Sequence, residues 1–170
     1  TKEVSVIQLA TEHACLVFSL AAAGGGLPAA LKGVLVDSDV VKVGKALATD
    51  VKLLAWDLFG GDGAVRTAKD MEEQGWFEIS DFTPFSCEHG SMDAMSRTFL
   101  GVGYAFKGTV DHTGWAVWPL SVEQLDYAAS DACILVDVLL AITRRAEAFA
   151  LAGVDAADPT FRGTSETCDK

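Results

Sequence analysis

The chain has 170 residues, half of them hydrophobic, and a formal net charge of −11 at pH 7 from 13 Lys and Arg against 24 Asp and Glu. This length suits one domain, and the hydrophobic content excludes wholesale disorder. The negative charge argues against a protein that binds nucleic acid by itself, because its field repels phosphate. No run of about 18 apolar residues is present, so we expect no membrane span.

The order of the predicted elements indicates an α/β domain. β-Branched and apolar runs predict strands at 4–10, 14–20 and 40–44, the first two joined by a short turn. Helical spacing predicts helices at 27–36, from 48 to 58 and from 91 to Gly101 or Gly103. The polar, Gly-rich composition of residues 60–75 predicts a loop, and residues 76–81 are predicted to form a short buried segment. Strands before and between helices are typical of α/β folds.

The longest predicted helix starts at an N-cap box. Ser121 is followed three residues later by Gln124, and the helix is expected to run to about Leu151. Residues 153–170 are polar and predict a tail, so the domain is placed at 1–152. Tyr127 and Asp131 are four residues apart, a spacing that puts both side chains on one helix face.

No pair of the four cysteines has the C-x-x-C spacing of a zinc or redox site, and no histidine completes such a site. We therefore expect free thiols in a reducing compartment. No signal or transit peptide is recognisable, which predicts an intracellular protein, with the nucleus or an organelle left open.

The context of Tyr127 resembles a known motif. Residues 119–132 read Pro-Leu-Ser-x-Glu-Gln-x-x-Tyr-Ala-Ala-x-Asp-Ala, which is similar to the third motif of the DEDDy 3′–5′ exonucleases, the family of ribonuclease D and the Werner-syndrome exonuclease domain. Lys-x-Gly at 42–44, followed by Asp50, resembles the second motif of the family. The sister subtype would carry His at the position of Asp126, so the resemblance is to the Tyr subtype.

The resemblance implies a fold, a chemistry and a set of site residues. The fold would be a ribonuclease H-like mixed sheet flanked by helices, and the substrate the 3′ end of a single-stranded nucleic acid. Two Mg²⁺ or Mn²⁺ ions would be held by carboxylates, Asp131 for one ion and Asp50, mainly through water, for the other. Tyr127 would position the attacking water. Lys107 and Trp115 are weaker candidates for contact with the nucleic acid.

One motif of the family has no counterpart in the sequence. The Asp-x-Glu motif belongs on a first, central strand upstream of residues 4–10, where only three residues precede. We therefore expect two of the four carboxylates and the central strand to be missing from this chain, which would leave it inactive alone and without a complete metal site. A longer gene product, a strand from another chain, or a rearranged fold would each account for this. The alternative function is a catalytically dead fold that serves as a structural or docking subunit of a larger intracellular assembly.

Overall fold

The computed structural model describes residues 4–59, 68–82, 91–104, 110 and 113–153. The domain is α/β, with its helices and strands in the predicted order. In chain order these elements are β1 (Val6–Ala10), β2 (Cys15–Ser19), α1 (Ala29–Val36), β3 (Lys42–Gly44), α2 (Leu47–Phe59), α3 (Ala68–Glu73), β4 (Trp76–Glu78), a 3₁₀ helix (Ile79–Phe82), α4 (Met92–Leu100) and α5 (Val122–Leu151).

The first two strands form the predicted hairpin. β1 pairs antiparallel with β2, so that Val6 lies opposite Ser19 and Ala10 lies opposite Cys15. The amide of Thr11 donates to the carbonyl of Ala14 at 2.8 Å, which closes the turn. Each strand is slightly shorter than its hydrophobic run suggested.

The second pair of strands is parallel. β3 aligns with β4, with Lys42 opposite Trp76 and Gly44 opposite Glu78. The buried Lys42 links the segments that precede the two strands. Its Nζ donates to the carbonyl of Asp37, before β3, at 2.6 Å and to the carbonyl of Gln74, before β4, at 2.7 Å. A parallel pair needs a long crossover connection, which here includes α2 and α3.

The expected single mixed sheet is present as two separate pairs. Within the described ranges, no strand joins β1–β2 to β3–β4 by hydrogen bonds. This is the arrangement expected when a central strand is not among the residues described. The two pairs share a helical neighbour, since α5 contacts β1, β2 and β3 as well as α4 and the 3₁₀ helix.

Two apolar clusters hold these layers together. Burial of each large apolar side chain contributes about 1.5–3 kcal/mol. The first cluster joins β1, α1, α2 and β4, and its fully buried members are Leu35 and Val51. The second cluster joins α4 and the 3₁₀ helix to α5 through Ile79, Met95 and Val138. Among the helices described, none is both long and apolar enough to cross a membrane, the 30-residue α5 included.

Several boundaries differ from the sequence prediction, and two of these differences lie between β3 and β4. The predicted loop at 60–75 is wrong in part, because Ala68–Glu73 forms α3. Its Ala, Lys, Met and Glu residues favour helix, and their polarity had suggested a loop. Helix α2 begins at Leu47, one residue earlier than predicted. Residues 60–67, and the predicted tail beyond Gly153, lie outside the described residues.

Candidate functional site

The start of α5 fixes where its functional side chains lie. Ser121 Oγ accepts from the amide of Gln124 at 3.2 Å, and Gln124 Oε1 accepts from the amide of Ser121 at 3.0 Å. This reciprocal pair is the predicted capping box, and it satisfies backbone donors that the first helical turn leaves open. Tyr127 and Asp131 therefore lie one and two turns into a helix whose start is well defined.

Tyr127 and Asp131 belong to an aromatic–carboxylate cluster with Tyr104 and Trp115. The hydroxyl of Tyr104 donates to Asp131 Oδ1, and Tyr127 is also hydrogen-bonded to Asp131. The Tyr127 ring meets the Tyr104 ring edge-on at 6.4 Å between centroids and lies 6.1 Å from the Trp115 ring. All four side chains are half-buried.

The electrostatics of the cluster keep both phenols protonated at neutral pH. Burial, followed by the Asp131 carboxylate, raises the pKa of Tyr127. Burial and the hydrogen bond to Asp131 raise the pKa of Tyr104 far above its usual range. Each hydroxyl can therefore act as a hydrogen-bond donor toward the carboxylate. A protonated phenol beside a carboxylate is suited to orienting a water or a phosphate oxygen.

Tyr104 is the member of this cluster that the sequence analysis missed. It follows α4, which ends at Gly101 in the left-handed conformation with φ 73°. The Tyr104 amide donates to Asp93 Oδ1 at 2.8 Å, and the buried Ser96 Oγ donates to the carbonyl of Val102 at 2.6 Å. These bonds hold the segment after α4 against its own helix. No motif spacing signals this arrangement, which depends on the packing of α4 on α5.

Asp50 lies in a different environment. It is in the first turn of α2 and its side chain is exposed. Partial burial of the carboxyl, followed by the charge of Glu78, raises the pKa of Asp50. A carboxylate near a helix N-terminus is stabilised by the backbone dipoles, so here the two effects oppose each other.

Glu78, at the end of β4, organises that second region, and the sequence analysis did not single it out. Its Oε2 accepts from the amide of Leu47, the first residue of α2, at 3.0 Å. Its Oε1 accepts from Ser80 Oγ at 3.1 Å and lies 3.8 Å from Lys45 Nζ. Glu78 therefore caps α2 from a neighbouring strand, which no local pattern at residues 44–50 could reveal.

The predicted site residues are brought together in part. Tyr127, Asp131 and Trp115 are in one cluster, whereas the charge neighbour of Asp50 is Glu78. Lys107 lies outside the described residues. Carboxylates are suitable ligands for Mg²⁺ or Mn²⁺. However, no three His, Cys, Asp or Glu side chains in the described part of the chain are grouped as a metal site, so these residues alone do not fit a complete site for two ions.

The described elements and this cluster define an α/β domain with a Tyr–Asp pair on its long helix, and the family match that follows gives it a ribonuclease H-like fold. A family model described as 3′–5′ exonuclease matches residues 1–147, and the chain belongs to this family.

Solved structures and curated sequences were also compared with the chain. The EXO domain of Nibbler from Aedes aegypti is similar, at 24% identity and a TM-score of 0.63, over 91% of this chain and 74% of that one. The EXD2 exonuclease domain, in a crystal soaked in Mn and Mg, is 22% identical with a TM-score of 0.36, over 88% of this chain and 76% of that one. Among curated proteins, no sequence matches.

Proposed function

We propose that this chain is a DEDDy-type 3′–5′ exonuclease domain that acts on the 3′ end of single-stranded nucleic acid. The observation that carries the proposal is the hydrogen-bonded pair of Tyr127 and Asp131 on one face of α5. This pair combines a protonated hydroxyl with a hard anionic ligand, and hydrolysis of a phosphodiester needs both functions. Membership of the 3′–5′ exonuclease family supports the reaction type.

Asp131 and Asp50 are the residues that we assign to metal ions. Each offers carboxylate oxygens of the kind that Mg²⁺ and Mn²⁺ prefer. Because the described residues do not complete a site, the remaining ligands have to come from outside the described ranges. When bound, such ions activate a water and stabilise the charge that builds on the phosphate.

The other members of the cluster have roles that follow from their chemistry. Tyr127 stays protonated and can hold a water or a phosphate oxygen by hydrogen bonding. The indole of Trp115, packed beside the Tyr127 ring, offers a surface on which a terminal base can stack. Lys107 is retained as a proposed phosphate contact, with Trp115 as the stronger candidate of the two.

The test is a trimming assay with single-stranded RNA and DNA labelled at the 5′ end, in Mn²⁺ and in Mg²⁺. We expect stepwise shortening from the 3′ end that Tyr127→Phe slows about 100-fold, the lower end of what positioned acid–base groups contribute. Asp126→Asn is the matched control, because Asp126 is an exposed acid adjacent on the same helix. Equal activity of the Tyr127 variant and the wild type would contradict the assignment.

A second candidate function is a structural subunit without catalysis. It is favoured by three apolar side chains near the start of α5, Val117, Trp118 and Val122, which are 65%, 56% and 68% exposed. Exposed apolar side chains concentrated in one segment suit contact with another protein. A protein that trims neither substrate in either metal, yet forms a stable complex that Trp118→Ser weakens, would support this candidate over the exonuclease.

A further inference from the structure

Two cysteine side chains meet between the hairpin and the long helix. Cys15 on β2 and Cys133 on α5 are both free thiols. Cys15 Sγ donates to the carbonyl of Ala129 at 3.7 Å, and the neighbouring Cys133 thiol contributes to a raised pKa of Cys15. In an α-helix the Ala129 carbonyl also receives the amide of Cys133. The Cys15 sulfur therefore lies against the helical turn that carries Cys133.

One of the two cysteines lines an open cavity. Cys133 lines a cavity of about 280 Å³ together with Tyr104, Ser130 and Asp137. A small reagent can therefore approach Cys133 from this side. Cys15 is half-buried between the sheet and the helix, and burial together with the neighbouring thiol raises its pKa. Attack on a reagent therefore starts from Cys133 on grounds of access.

We propose that Cys15 and Cys133 form a dithiol modification site that closes to an intramolecular disulfide on reaction with a small-molecule disulfide, such as oxidised glutathione. The Cys133 sulfur attacks one sulfur of the reagent, forming a mixed disulfide and releasing one thiol. The Cys15 sulfur then attacks the protein sulfur of that mixed disulfide and releases the second thiol. The two cysteine protons pass to the two released thiols, so the protein is oxidised by two electrons and the reagent is reduced by two.

The disulfide would fasten α5 to the hairpin beside the functional cluster. Cys133 follows Asp131 by two residues, and side chains two apart do not share a helix face. The bond would therefore hold the helix without occupying the carboxylate. Because it closes a loop of more than one hundred residues, it should stabilise the fold substantially. This inference does not depend on the proposed exonuclease activity.

The experiment treats the folded, reduced full chain with oxidised glutathione and follows it by intact mass, peptide mapping without reduction and thermal unfolding. We expect a loss of two hydrogen atoms in mass, one cross-linked peptide pair containing Cys15 and Cys133, and a melting temperature raised by roughly 5–15 °C. A thiol reductant should reverse all three changes.

Single variants make the result specific. Cys15→Ser and Cys133→Ser should each abolish the cross-link and the thermal shift, while Cys87→Ser should keep both. Circular dichroism checks that each variant is folded before oxidation. The proposal is overturned if the wild-type chain keeps both thiols, stops at a glutathione adduct, or links Cys15 or Cys133 to another cysteine.

Discussion

Asp131 and Asp50, the two carboxylates assigned to metal ions, are held in contrasting ways. Asp131 is half-buried and receives hydrogen bonds from two tyrosines within an aromatic cluster. Asp50 is exposed at the start of α2, and its charge neighbour is another acid, Glu78. Hydroxyl donors stabilise an ionised carboxylate and fix its orientation. A nearby like charge disfavours the ionised form. The α5 region is therefore preorganised by hydrogen bonds to its carboxylate. In the α2 region, a bound cation would relieve the repulsion between two acidic side chains.

This contrast gives the largest expected effect. If the exonuclease proposal holds, Asp131→Asn should lower kcat/KM about 10³-fold, which corresponds to ~4 kcal/mol in transition-state stabilisation. Asp50→Asn should lower it only about 10- to 100-fold, because a ligand that acts mainly through water contributes on the scale of outer-sphere partners. Rates of 3′ trimming in Mn²⁺ measure both, with Asp126→Asn expected to match the wild type. Equal losses at Asp131 and Asp50 would remove the distinction between the two regions.

Removal of the hydrogen bond from Tyr104 to Asp131 tests whether this bond preorganises the α5 region. Tyr104→Phe removes the hydroxyl and should lower the free energy of unfolding by about 2 kcal/mol, since the acceptor is charged and half-buried. Urea unfolding measures the loss. In an Asp131→Asn background the same change should cost clearly less, because the two groups interact directly. Additive losses would mean that Tyr104 stabilises the fold by packing alone.

The cap that Glu78 provides tests the α2 region in the same way. Glu78→Ala removes the acceptor of the Leu47 amide and should cost about 1 kcal/mol of unfolding free energy, as loss of a helix cap typically does. Asp81→Ala is the matched control, because Asp81 is an exposed acid three residues further along and should stay within about 0.5 kcal/mol of the wild type. Indistinguishable unfolding curves for the two variants would argue against a capping role.

The sequence predicted those parts of the molecule that depend on local spacing. The capping box at Ser121, the pair Tyr127 and Asp131, and the first hairpin all depend on residues close together in the chain. Tyr104 reaches Asp131 across 27 residues, and Glu78 reaches Leu47 across 31. These contacts arise from the packing of α4 on α5 and of β4 beside α2, which no single-sequence motif encodes.

The prediction of one sheet shows the same limit. The first strand pair could be anticipated from its apolar runs, but β4 lies in a segment predicted only as buried, and α2 and α3 separate it from β3. The two pairs are separate because none of the described strands lies between them and pairs with both. The family resemblance indicated a missing central strand through the unmatched first motif, but neither it nor periodicity predicted two separate pairs.

The smallest expected effect is a pH dependence at Asp50. Its pKa is raised in the folded protein, so the folded state binds the proton more tightly than the unfolded state does. Stability from this group is therefore greatest below the ordinary Asp pKa of about 3.9 and declines as the pH rises through the raised value. Asp50→Asn should remove this decline, giving a slightly higher melting temperature than the wild type at pH 7 and no advantage at pH 3.5.

In Glu78→Gln the decline should shrink without vanishing, because burial is the larger cause of the pKa shift of Asp50 and the charge of Glu78 the smaller. A wild-type chain whose melting temperature relative to Asp50→Asn is the same at both pH values would show that Asp50 is as well solvated as its exposure suggests, and that the charge of Glu78 does not perturb it.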